Sequence, residues 1–149
     1  GVMRLTTKLR YGLRIMTQMA AEGRTKPLMA RRISARQRVS VAYIDQILIP
    51  LRASGLIISQ RGRKGGYLLA RPPDQISALD VLEALEGKIA LNDCVTNPQV
   101  CDRSDRCATR ELWSALTTAM RDKLAACTLD GLAARQSELL RLAKPRARE

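Results

Sequence analysis

The stretch VAYIDQILIPLRASGLIISQRGRKGGYLLARP, residues 41–72, changes its hydrophobic period partway along. In its first half Val41, Ile44, Leu48 and Leu51 recur at +3, +4 and +3, the rhythm of one helix face, with Ser40 as N-cap and Gly55 as stop. Pro50 lies inside that pattern and deletes one backbone hydrogen bond, so a kink or a loosened last turn is expected there. The second half reads as two short strands, GLIISQ and YLLAR, joined by the Gly-rich basic tip RGRKGG. The order is helix, then basic hairpin.

Upstream lie two more helices. Thr7 is placed to cap one that runs to about Glu22, with Leu9, Leu13, Met16 and Ala20 on one face and Gly23 as its stop. Pro27 suits the first turn of a second, LMARRISARQ. Three helices and a hairpin form a winged helix-turn-helix, in which the third helix enters the major groove and the hairpin tip lies against an adjacent groove. The core is expected to consume Val41, Ile44, Ile47, Leu48 and Leu51, leaving Ala42, Tyr43, Asp45 and Gln46 facing outward. Gln pairs bidentately with adenine, and Asp accepts from the cytosine amino group. Arg61, Arg63 and Lys64 at the tip can approach phosphates or a narrow minor groove, with Gly62, Gly65 and Gly66 allowing close backbone passage. Lys8, Tyr11 and Ser40 complete the expected DNA-contact set.

Charge supports a polyanionic partner. Residues 1–71 hold fifteen Lys or Arg against two acids, whereas residues 72–149 hold eleven against twelve. A solvated face mixes both signs, so one-sided charge points to nucleic acid. A basic membrane-surface helix would not spread its charge over several elements. With aromatics at 3% and no Phe, a stacking platform for single strands is disfavoured, and duplex DNA is the expected partner. No eighteen-residue apolar run is present, and the charged N-terminus GVMRLTTKLRYGLRIM lacks the apolar core of a signal peptide. A cytoplasmic, reducing location is therefore expected.

Downstream of Pro72-Pro73, SALD at 77–80 is a capping box opening a helix to about Glu86, ended by Gly87. A long helix is expected from about Ala108 to Cys127, carrying Trp113, Leu116, Met120 and Leu124 on one stripe, and a last short helix starts after Thr128. The expected fold is mainly α. A winged helix-turn-helix DNA-binding domain spans 3–86, a cysteine loop 87–107, a dimerisation helix with a C-terminal helix 108–142, and a loose tail 143–149.

The cysteine loop contains DCVTNPQVCDRSDRC, residues 93–107, in a chain without histidine. Cys94, Cys101 and Cys107 contain no C-x-x-C pair, which disfavours a structural zinc knuckle. Disulfides would leave an odd thiol in the loop and are disfavoured in a reducing cytosol. Inert cysteines prefer buried apolar sites, and this loop is polar. An iron–sulfur cluster fits best, because soft thiolates suit iron and an irregular loop can wrap a bulky inorganic core. Cys127, roughly 30 Å down the helix from Cys107 at helical rise, reads as buried core.

Five segments together resemble the Rrf2 family of bacterial transcription regulators, in its iron–sulfur-binding IscR/NsrR-like group. They are MRLTTKLRYGLRIM, ISARQRVSVAYIDQIL, LRASGLIISQRGRKGGYLLARP, ISALDVLEALEG, and the cysteines followed by TRELW. The resemblance covers about residues 3–142, and the stretch ending in GGYLLARP is its most specific part. It implies a homodimeric winged-helix protein whose long penultimate helix packs against its mate. It implies that Asp45 reads a base, that Arg61 touches DNA, and that Cys94, Cys101 and Cys107 hold a cluster. The chain departs from its relatives at the fourth ligand: Arg110 stands where IscR-like proteins place a His, and Arg10 where NsrR-like proteins supply a carboxylate from the partner's first helix. Glu111, one turn beyond Cys107, is the remaining candidate, with Asp93, Asp102 and Asp105 as loop alternatives.

The sequence therefore reads as a non-enzymatic DNA-binding transcription regulator, a repressor. Its affinity for a double-stranded operator answers to an iron–sulfur cluster, with [2Fe-2S] ahead of [4Fe-4S]. The alternatives are a cluster-free thiol- or small-molecule-responsive repressor of the same fold, and an iron–sulfur carrier.

Overall fold

The computed structural model describes residues 1–143; the expected tail KPRARE lies outside them. Seven helices and one small sheet follow each other in the order α1 (Thr7–Glu22), α2 (Ala30–Gln37), α3 (Val41–Ala53), β1 (Ile57–Gln60), β2 (Gly66–Leu69), α4 (Ala78–Glu86), α5 (Asp93–Thr96), α6 (Ala108–Ala126) and α7 (Leu129–Leu142). Three single 3-10 turns, Pro73–Gln75, Pro98–Val100 and Ser104–Arg106, fill the connections.

Helix α1 is the spine. Its cap is Thr6 rather than Thr7, the Thr6 hydroxyl accepting from the Leu9 N–H, so of two adjacent threonines the one with extended backbone takes the role. The buried face is wider than the four residues anticipated and includes Gly12, Ile15, Met16 and Met19. Gly12 marks a close crossing: a Cβ built there would fall 2.2 Å from Leu85 Cδ1 of α4.

Helix α2 begins later than expected, at Ala30, because Leu28 belongs to the wing. Leu28 forms an isolated antiparallel bridge to Tyr67 through two backbone hydrogen bonds of 2.9 and 2.8 Å. Arg38, in the left-handed conformation at φ 58°, turns the chain from α2 into α3. Ser40 caps α3 through the Tyr43 N–H, as expected.

Helix α3 buries Ile44, Ile47, Leu48 and Leu51 almost completely. Val41, expected in that core, is 41% exposed at the first helical position. Pro50 is accommodated within the helix, which runs on to Ala53. The end is closed by two bonds, Leu56 N–H to Leu51 C=O and Gly55 N–H to Arg52 C=O, with Gly55 at φ 77°. These are the paired bonds of a Schellman motif, so the Leu51 and Arg52 carbonyls find partners, while the N–H that Pro50 lacks would have served the Gln46 carbonyl one turn earlier.

The hairpin pairs Ile57 with Leu69 and Gln60 with Gly66 in antiparallel register. The Ser77–Asp80 capping box opens α4 with both reciprocal bonds made. A short bridge between Ser77 and Thr128 ties that helix start to the α6–α7 junction. Helix α7 lies against α1, and its Leu129 and Ala133 join the same hydrophobic core as Ile15 and Ile44.

The tip end of the wing is intolerant of a side chain at Gly66. Its φ is 144°, and a Cβ would approach the Leu28 carbonyl oxygen to 2.4 Å. Gly66→Ala is therefore expected to lose the Leu28–Tyr67 bridge and to cost about 2–4 kcal/mol from lost hydrogen bonds and backbone strain, measured as a lowered urea midpoint.

Candidate DNA interface and cysteine loop

The candidate recognition face is assembled on α3 by what the core leaves over. Ala42, Asp45 and Gln46 are exposed, and Ser40 is exposed at the cap. Tyr43 is half-buried: its ring meets that of Tyr11 edge to face at 5.9 Å between centroids. Arg14 lies over the other ring of this pair, its guanidinium carbon 5.2 Å from the Tyr11 centroid. Tyr11 thus braces the recognition helix from α1, and Arg14, which the sequence reading had not singled out, sits beside it. Lys8 is partly buried on the same helix, one turn earlier.

At the wing tip Arg61, Arg63 and Lys64 are exposed. None of them takes part in the ion pairs found among the described residues. A cleft of about 410 Å³ between the wing and the start of α2 is lined by Lys26, Pro27, Met29, Gln60, Lys64 and Gly65. Lys26 was also missed in the sequence, because it becomes a neighbour of Lys64 only once Leu28 has paired with the wing. Exposed cations on α1, the wing and this cleft flank the outward residues of α3, the arrangement by which phosphate contacts position a base-reading helix.

The cysteine loop is less irregular than its composition suggests. Cys94 lies in the single turn α5, Cys101 follows the 3-10 turn Pro98–Val100, and Cys107 is the N-cap of α6, its sulfur accepting from the Arg110 N–H at 3.4 Å. Cys101 is exposed, while Cys94 and Cys107 are half-buried. Hydrogen bonding from the Thr109 hydroxyl, then from the Arg110 backbone, holds the Cys107 thiol below its usual pKa. Cys127, expected in the core, is half-buried at the C-cap of α6, its carbonyl accepting from the Ala78 N–H at 2.7 Å.

The loop is fastened to one polar strip of α6. Arg121 Nη1 donates to the Ile89 carbonyl at 3.1 Å and Thr117 Oγ1 accepts from the Leu91 N–H at 3.1 Å. Arg110 Nε donates to the Cys94 carbonyl at 2.8 Å and its Nη1 to the Ser104 carbonyl at 3.4 Å. Thr117 is buried for this reason on a helix whose first half is largely open to solvent, where Leu112, Trp113 and Leu116 are 52%, 37% and 45% exposed. Of the stripe predicted at Trp113, Leu116, Met120 and Leu124, Trp113 and Leu116 are exposed, whereas Met120 is half-buried and Leu124 packs against the protomer's own core.

Among the described residues, no three His, Cys, Asp or Glu side chains are grouped so as to hold a metal ion. Cys94, Cys101 and Cys107 share one loop but do not converge, and Glu111 is exposed on the first turn of α6 beside Cys107. The chemistry of the loop nonetheless suits an iron–sulfur group. It offers three soft donors, and the Ser104 hydroxyl is buried without a partner, an orphan that acceptor sulfides could satisfy.

Comparisons with known proteins agree with the winged-helix fold and with a DNA-binding regulator. A family model described as "Rrf2: Iron-dependent Transcriptional regulator" matches residues 5–135. Protein rrf2 of Nitratidesulfovibrio vulgaris is 38% identical over 130 residues, covering 87% of each chain. The HTH-type transcriptional regulator IscR of Pectobacterium carotovorum is 36% identical over 130 residues, 87% of this chain and 79% of its own. The structure of CymR (YrzC), the global cysteine regulator of B. subtilis, superposes with a TM-score of 0.75 at 34% identity, covering 90% of this chain and 98% of its own.

Helix and wing should be separable by experiment. Lys64→Ala is expected to weaken binding to specific and random duplexes alike and to flatten the salt dependence by about one unit of slope. Asp45→Ala is expected to change the preferred sequence, shifting discrimination by about 1–3 kcal/mol. Fluorescence anisotropy over a salt series on both duplexes measures the two effects, and identical behaviour of the two variants would overturn the division of roles.

Proposed function

The chain belongs to the Rrf2 family of DNA-binding transcriptional regulators, and we propose that it is a homodimeric repressor whose grip on its operator is set by an iron–sulfur cluster bound at Cys94, Cys101 and Cys107. The observation that carries the sensor reading is the fastening of the three-cysteine loop to α6 through Arg110, Thr117 and Arg121. The exposed stripe of Leu112, Trp113 and Leu116 on the same helix supports the dimer, because apolar surface of this kind is what a second copy would cover. A change at the thiols is then a change at the base of the proposed dimer helix, and it alters the spacing of the two reading heads.

When bound, such a cluster supplies reversible redox chemistry and sensitivity to iron supply, oxygen or nitric oxide. The protein's own residues do the rest. Arg110 and Thr109 favour the thiolate at Cys107, Asp45 and Gln46 present their polar groups to base edges, and Arg61, Arg63 and Lys64 meet the backbone phosphates. Glu111 is proposed as the fourth donor; as a carboxylate it would hold iron less tightly than imidazole or thiolate, giving a labile centre.

A second reading is favoured by the lack of convergence among the three cysteines and by the likeness to the global cysteine regulator. In it the same loop answers to thiol chemistry or a small molecule without iron.

Colour separates the two. Anaerobically purified protein is expected to be brown, with iron and sulfide in matching amounts. Cys→Ala at 94, 101 or 107 should bleach it and Cys127→Ala should not, while colourless protein holding stoichiometric zinc would refute the cluster.

The fourth ligand has its own test. Glu111→Ala should keep the fold and the dimer yet shift the visible spectrum or hasten its decay in air. An unchanged spectrum and lifetime would exclude Glu111 and turn attention to Asp93, Asp102 and Asp105.

A further inference from the structure

Arg110 does more than stand where relatives place a ligand. Its guanidinium reaches two main-chain carbonyls ten residues apart, those of Cys94 and Ser104, while its own N–H bonds the Cys107 sulfur. One residue therefore touches α5, the last 3-10 turn and the start of α6. Between the two carbonyls the chain passes through exposed Cys101, whose own carbonyl is held by the Ser104 N–H at 3.2 Å. Arg110 is half-buried and pairs with no carboxylate among the described residues, so its bonding capacity is committed to positioning backbone.

We propose that Arg110 is a positioning residue that latches the Cys94 and Cys107 segments in place in the thiol form and leaves Cys101 as the thiol that travels to join them. The proposal rests on the reading of this loop as the sensor and assigns its three cysteines unequal parts: a held pair and a moving arm. The planar guanidinium fork is what allows both carbonyls to be served by one side chain, and a lysine ammonium would serve one of them at most well. The latch also explains how the loop can hold its shape with so few buried apolar side chains, Cys94 and Val95 being only half-buried.

The test uses the full chain, reduced and free of metal. Iodoacetamide pulses read by peptide mass spectrometry give a rate for each cysteine, and hydrogen exchange reports on residues 93–107. Cys101 should react faster than Cys94 in the unsubstituted protein. Arg110→Met should raise the Cys94 rate roughly tenfold or more and speed exchange in 93–96 and 104–107, with α1 to α4 and the far-ultraviolet circular dichroism unchanged. Arg110→Lys should restore part of the protection. Unchanged rates in Arg110→Met would overturn the latch, and so would equal acceleration along the whole chain, which would make Arg110 a support of the fold rather than of the loop. No iron enters this experiment, so a failed latch leaves the cluster reading standing, and colourless protein with an intact latch removes the cluster reading alone.

Discussion

Everything on the proposed DNA-facing side depends on the seating of α3. Ile44, Ile47, Leu48 and Leu51 are at most 1% exposed, and each such side chain contributes about 1.5–3 kcal/mol when buried. Their combined burial fixes the rotation of the helix about its axis. A rotation by one residue would drive Asp45 into the core and bring Ile44 into water, so the outward direction of Asp45 and Gln46 is enforced from behind. The Tyr11–Tyr43 contact braces the helix start, and the Gly55 motif fixes the direction in which the chain leaves for the wing.

What could be read from residues alone was what local physics decides. The Ser77–Asp80 capping box, the Ser40 cap, the hairpin and the stop at Gly55 involve neighbours within a few positions, and the structure has all of them. Several of the differences come from surroundings that the local pattern does not show. Leu28 was assigned to α2 because nothing nearby shows that Tyr67 will pair with it. Val41 was placed in the core by its period, yet at the first helical position it has no element in front of it. Arg38 carries a left-handed turn without the glycine that would have announced it.

Helix α6 shows the same limit more sharply. Its apolar stripe was legible, but only the Leu124 end of it meets the core, and the residue the helix buries is Thr117, which faces the main chain of the cysteine loop. Hydrophobic period finds apolar faces, and a polar fastening has no such period. The three cysteines were legible as a group by spacing. That Cys94 and Cys107 are tied down while Cys101 is exposed was not, since it follows from where one arginine points.

The four bonds that fasten this loop to α6 end on main-chain atoms: the carbonyls of Ile89, Cys94 and Ser104 and the N–H of Leu91. Main-chain atoms are indifferent to residue type. The side chains at positions 93–103 can therefore be exchanged without removing a fastening group, so that what the loop is proposed to sense and how it is attached are separate properties of the molecule. A mount of this kind would accept a different loop chemistry while the attachment behind it stays the same.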